Sequence, residues 1–187
     1  IRSNLLQNVQ DVTDVIIFEN RSQFEDSNGR PPHSFETVIV GGSDQDIADE
    51  LFRIKPAGIQ TFGNESAQIT DSNGDLQTMR FTRPEPVYIW VEAELTIVPN
   101  AFPTGGIDAI KDNILDRAAS LQIGEEIVYQ EFYGAVYQVP GIRFLDLKLA
   151  TSATAGGPPS TYIADNIQLG DTQVATFDID RINVTIS

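Results

Sequence analysis

The sequence predicts an α+β chain of two small subdomains, each with antiparallel strands packed on one or two helices. Three observations carry this. Short segments of period-two alternation interleave with helical stripes of period 3.6. Asn-Gly turn signals separate the extended segments. Arg83-Pro-Glu-Pro86 sets two prolines within three residues, which disfavours both a helix and a paired strand and marks a boundary. The subdomains are therefore placed at 1–85 and 86–187.

In the first, residues 11–19 are rich in β-branched side chains and read as a strand. A polar loop holding Asn28-Gly29 and Pro31-Pro32 leads to a second strand, Ser34–Val40. Gly41-Gly42 stops that strand, and Ser43 or Asp44 can cap a helix over 44–54, where Ile47, Leu51 and Ile54 form one stripe. Pro56 and Gly58 end it. A hairpin over 61–81 follows, with strands Thr61–Thr70 and Leu76–Phe81 joined at Asn73-Gly74.

The second subdomain opens with a long strand, 87–98. Ile89, Val91, Ala93 and Leu95 make an aliphatic face; Tyr88, Trp90, Glu92 and Glu94 make the other, aromatic at one end and acidic at the other. A helix over 106–121 carries Ile107, Ile110, Ile114, Ala118 and Leu121 on one stripe, with Asp108 near its positive end and Arg117 nearer its negative end. A second helix, 129–138, stacks Tyr129, Phe132, Tyr133, Val136 and Tyr137 on one broad face. Three tyrosine hydroxyls on so short a helix need partners, so this face divides between core packing and subunit contact. As an assembly interface the candidates are Tyr129, Phe132, Tyr133 and Tyr137. Strands over 142–150 and 181–186 complete the unit, separated by the Gly/Pro/Ser/Thr-rich stretch Thr151–Thr161.

The 187 residues hold 41% hydrophobic and 21% charged side chains, an ordinary globular composition. Net charge is −15, from 27 acidic against 12 basic residues, and both halves share the excess. No basic half exists to carry a phosphate backbone, so nucleic acid is not expected as a partner. No apolar run has the length of a membrane span, so no membrane partner is expected either. Cysteine is absent, which removes disulfides, thiolate metal sites and a Cys nucleophile. The chain opens on Ile1, and Asn4–Val12 reads as the tail of a preceding element, so a fragment of a longer protein is expected.

A search for chemistry yields little. His33 is the only histidine, beside Pro32, and reads as a loop residue rather than a general base. Asp71-Ser-Asn73-Gly-Asp75 places oxygens at the first, third and fifth positions of a calcium loop. Leu76 and Thr82, however, stand where that loop needs Gly and Glu, and a tight hairpin turn explains the same residues. Glu92 and Glu94 share a strand face, but glycoside hydrolysis draws its carboxyls from separate elements around a cleft. No phosphate-cradling glycine loop or nucleophile elbow occurs. The expectation is a non-enzyme with no catalytic residue, no metal and no cofactor.

Several strings, in order, resemble the baseplate J-like family of contractile-tailed bacteriophages. They are Pro32-His-Ser-Phe-Glu-Thr-Val-Ile-Val-Gly-Gly42, Asp46-Ile-Ala48, Lys55-Pro-Ala-Gly-Ile-Gln-Thr-Phe-Gly63, Phe81-Thr-Arg-Pro84 leading into Val87-Tyr-Ile-Trp-Val91, and Ile123-Gly-Glu125. Tyr133-Gly-Ala-Val-Tyr-Gln-Val-Pro-Gly-Ile142, Asn166-Ile and Arg181-Ile-Asn-Val-Thr-Ile186 close the series. The resemblance spans most of the chain and lacks the family's N-terminal part. It implies a structural wedge component of a phage or prophage-derived tail baseplate. The expected partners are other baseplate and tail proteins, with self-association in a ring, and the expected location is the virion after assembly in the host cytoplasm. The competing expectation is a carbohydrate- or calcium-binding module of a tail or surface protein, motivated by Trp90, the tyrosines and Asp71–Asp75.

Overall fold

Residues 1–187 are described by a computed structural model, in which the chain forms an α+β fold of four helices and nine strands. It divides into two units, Ile1–Pro84 and Glu85–Ser187.

The first unit opens with a helix that the sequence did not announce, α1 (Arg2–Asn8). It has no side-chain cap, so the usual start signal is missing, but Leu5 and Val9 bury one helical stripe. β1 (Asp14–Asn20) pairs antiparallel with β2 (Ser34–Val40). α2 (Asp44–Ile54) is capped by Ser43, whose hydroxyl accepts the Asp46 N–H, and it buries Ile47, Ala48 and Leu51. The expected hairpin over 61–81 is split. β3 (Gln60–Phe62) adds to β2 in parallel, whereas β4 (Glu65–Thr70) and β5 (Leu76–Phe81) form the hairpin proper. Gly63 makes the break: a Cβ there would lie 2.1 Å from the Phe81 carbonyl oxygen, so only glycine lets the two backbones cross.

β2 is buried from Ser34 to Ile39, and this includes the charge of Glu36. Arg30 compensates it. Its Nε donates to Glu36 Oε2 at 2.8 Å, its Nη1 reaches Asp26 at 3.2 Å, and its guanidinium lies 4.5 Å from the Phe18 ring centroid. The Thr82 hydroxyl donates to the other Glu36 oxygen. Asn20 fixes the same loop by donating to the carbonyls of Phe24, Arg30 and Pro31. Glu50 plays a smaller part of the same kind. Its carboxylate joins α1 to α2 through Asn8 at 2.9 Å, and the adjacent Arg53 guanidinium holds its pKa below the ordinary value.

The second unit is built on β6 (Glu85–Ile97), which β7 (Ile142–Ser152) flanks antiparallel on one edge. On its other edge β8 (Gln173–Thr176) and β9 (Ile182–Ile186) lie in succession, both parallel to it. The sheet is thus mixed rather than antiparallel, because the chain returns twice to the same edge in the same direction. Pro86 lies inside β6, although two prolines so close disfavour a paired strand. Glu85 N–H points to Thr172 O on the β8 side, so the Pro86 nitrogen faces the other edge, where β7 pairs no further than Ser152 opposite Tyr88. No ladder bond is lost.

Ile89, Val91, Ala93 and Leu95 are all buried against Ile110 and Ile114 of α3 (Gly106–Ala118) and Phe132 and Val136 of α4 (Tyr129–Tyr137). α3 ends at Ala118, short of Leu121, where Ser120 N–H and hydroxyl both turn back onto the Arg117 carbonyl. Gly141, at φ 85°, turns α4 into β7; a Cβ there would stand 2.4 Å from the Phe102 nitrogen.

The Arg30–Glu36 contact has a measurable consequence. Arg30→Met leaves a buried carboxylate without its cation and is expected to cost about 3–5 kcal/mol in urea unfolding, while Arg30→Met with Glu36→Leu regains most of that loss. Equal losses for the single and double variants would contradict the pairing.

Candidate functional site

The helix α4 brings the four expected interface rings together, two of them buried, one half-buried and one exposed. Phe132 is fully buried and stacks on Phe177, with centroids 5.3 Å apart and planes at 13°. Tyr129 is also buried; its hydroxyl donates to the Leu147 carbonyl and lies 3.1 Å from the Tyr133 hydroxyl. Burial, then the Tyr133 contact, pushes the Tyr129 phenol above its ordinary pKa. Tyr133 packs edge-on to Tyr129 and half-buried against the core. Tyr137, 48% exposed, stacks on Tyr133 at 6.4 Å and is the one ring left outside. As an assembly face, the quartet therefore reduces to Tyr137. Rings at i, i+3, i+4 and i+8 of a nine-residue helix spread over an arc of about 140°, wider than the roughly 100° stripe a helix needs to bury, and the core takes most of it.

The opposite side of the β6 sheet carries more. Because Ile89, Val91, Ala93 and Leu95 turn inward, Tyr88, Trp90, Glu92 and Glu94 lie together on the other face, the first three half-buried and Glu94 exposed. The register adds β7 residues to that face: Lys148 opposite Glu92, Asp146 opposite Glu94 and Phe144 opposite Thr96, while Ala150 opposite Trp90 is buried. Phe144 is 60% exposed. Alternation along β7 turns it outward with Asp146 and Lys148, while Leu145, Leu147 and Leu149 face the core. Trp90 is held, its indole N–H donating to Ser152 Oγ at 2.9 Å. Arg181 lies 5.2 Å from the Tyr88 centroid and donates to the Thr176 carbonyl. Tyr162 stands near Glu92, and burial and then that carboxylate push its phenol pKa up. Lys148 pairs with Asp146 at 2.7 Å. The result is an aromatic surface interleaved with charge. Alternation alone gave its β6 half; Phe144 was missed, although the period-two pattern of 142–149 carries the signal.

The remaining candidates are accounted for locally. Asp71 Oδ1 accepts the N–H groups of Asn73 and Asp75 at 2.9 and 3.0 Å, and Oδ2 accepts from Gln77 at 3.1 Å. These bonds, the backbone N–H of Asp75 first, lower the Asp71 pKa and tie the carboxylate into the hairpin turn. His33 holds a left-handed backbone, φ 52°, and its carbonyl accepts the Gln60 N–H. Glu92 and Glu94 face outward on one strand, not across a cleft.

No protein-family model and no curated protein matches the chain.

The division of α4 is testable by unfolding. Phe132→Ala is expected to cost about 3–5 kcal/mol, and Tyr137→Ala to stay within about 0.5 kcal/mol of the parent. Comparable losses would place Tyr137 in the core.

Proposed function

We propose that this chain is a structural component of a contractile tail baseplate, from a phage or a prophage-derived particle, and that it works by protein–protein assembly in the tail. The ordered strings from Pro32 to Ile186 supply the family reading. The observation that carries the mode of action is the outward face of the β6–β7 sheet, where Tyr88, Trp90 and Phe144 stand among Glu92, Glu94, Asp146 and Lys148. Interfaces combine aromatic anchors with a polar, charged surround in this way. Two features fit a preformed interface rather than a mobile one: the bond from Trp90 to Ser152, and a ladder that holds every one of these residues on a strand. The partners are other baseplate and tail proteins, with copies of this chain among them, and the place of action is the virion tail.

The same face favours one second reading. Tyr88 and Trp90 beside carboxylates also suit a sugar ring, as in a carbohydrate-binding module of a tail or surface protein. A glycan panel that raises the melting temperature of the parent but not of Trp90→Ala would support that reading over assembly.

The assembly reading predicts that the full-length protein binds at least one neighbouring tail protein in a pull-down or by sedimentation. Phe144→Glu or Trp90→Ala should weaken that association at least about tenfold. Failure to associate with any baseplate protein would overturn the function, and parent-like binding by both variants would overturn the surface.

A further inference from the structure

Seven of the chain's twelve basic residues form ion pairs with carboxylates: Arg2, Arg21, Arg30, Arg53, Arg83, Arg117 and Lys148. Among those that do not are Lys55 and Arg80, and these two line the same cleft. It lies within the first unit, between β3 and β5, with a volume of about 370 Å³. Ile59, Phe62 and Met79 give it apolar walls, and Gln60, Gln77 and Thr78 give it polar ones. No carboxylate lines it. In a protein of net charge −15 that is an unusual distribution, and the contrast inside the same unit is direct: the cleft beside α2 is lined by Asp46, Asp49 and Glu50 around the already paired Arg53.

The main chain adds recognition groups. β3 and β5 belong to different sheets, and each turns an edge towards the cleft. Gln60 N–H bonds to His33 on the β2 side, so the N–H and C=O of Thr61, one residue on, point the other way. Arg80 N–H donates to Thr61 Oγ1 at 2.9 Å, away from β4, so Thr78, two residues earlier, presents its N–H and C=O on the same side. The Lys55 ammonium has one weak partner, the Ile59 carbonyl at 3.4 Å. Two unpaired cations, an apolar wall and strand-edge groups together match an extended peptide that carries carboxylates and aliphatic side chains.

We propose that this cleft is a docking site for an acidic, extended segment of a partner protein. Carboxylates of the segment are held by Lys55 and Arg80, and an aliphatic side chain lies on Ile59 and Phe62. The assembly reading enters only in that the occupant belongs to a protein, and the test below uses no tail protein, so either can fail alone.

The test is fluorescence anisotropy on the full chain, with a labelled ten-residue peptide of alternating Glu and Val and its Gln/Val counterpart. The acidic peptide is expected to bind, and Arg80→Gln and Lys55→Gln are each expected to weaken it at least about tenfold. The Gln/Val peptide should bind at least about tenfold more weakly to the parent, and Lys111→Gln, which removes an unpaired cation in the other unit, should change nothing. Circular dichroism melting of each variant checks that the fold is retained. Three results would overturn the proposal: no binding of the acidic peptide up to millimolar concentration, equal binding of the two peptides, or variants indistinguishable from the parent. Displacement of the peptide by an oligo-dT strand at equal charge would reassign the cleft to a phosphate backbone.

Discussion

β6 is the constraint on which the second unit depends. It is thirteen residues long, paired along both edges, and strictly alternating, so each residue's place in the sequence decides whether it serves the core or the surface. A one-residue slip against β7 would expose Ile89, Val91, Ala93 and Leu95 and bury Glu92 and Glu94, a loss no local adjustment could offset. The inner face fixes where α3 and α4 pack. The outer face follows from the same alternation, so the candidate surface is as rigid as the core that positions it.

The first unit solves a different problem. Its central strand β2 is buried along nearly all its length and carries a glutamate there, so a cation must come from the preceding loop and a hydroxyl from a distant part of the chain. Arg30 comes from the long loop after β1 and Thr82 from the end of β5. The buried charge thereby ties the loop and the hairpin exit to one strand. Arg83, next in sequence, repeats the device at the surface by donating to the carbonyls of Ile39, Gly41 and Gly42 and pairing with Asp44. Basic residues are scarce in this protein, and most are spent on such ties. That scarcity is why the two unspent cations in one cleft carry meaning.

Elements with local signals were legible in the sequence. β2, α2 and β5 have the expected bounds because a glycine pair, a Ser43 cap and an Asn73-Gly74 turn fix their ends within a few residues. α1 lacks a cap and declares itself only through burial of Leu5 and Val9. β3 and β8 are three and four residues long and exist because a longer strand offers them an edge, which no window of sequence contains. Parallel pairing of β8 and β9 with β6 is likewise a property of topology. The α+β class was readable; the mixed sheet was not. At the candidate surface, Tyr88, Trp90, Glu92 and Glu94 could be grouped from alternation, whereas Phe144 joins them only through the pairing of β7 with β6, and α4 loses most of its rings to the core through tertiary packing.

The central claim is that the outward face of the β6–β7 sheet is where this protein meets its assembly partners. Hydroxyl-radical footprinting of the full-length protein, alone and bound to a neighbouring baseplate protein, tests it most directly. The account predicts that labelling of Phe144 and Trp90 falls on binding, while the buried Phe132 is unlabelled in both states. A stable complex in which Phe144 and Trp90 label as they do in the free protein would contradict it.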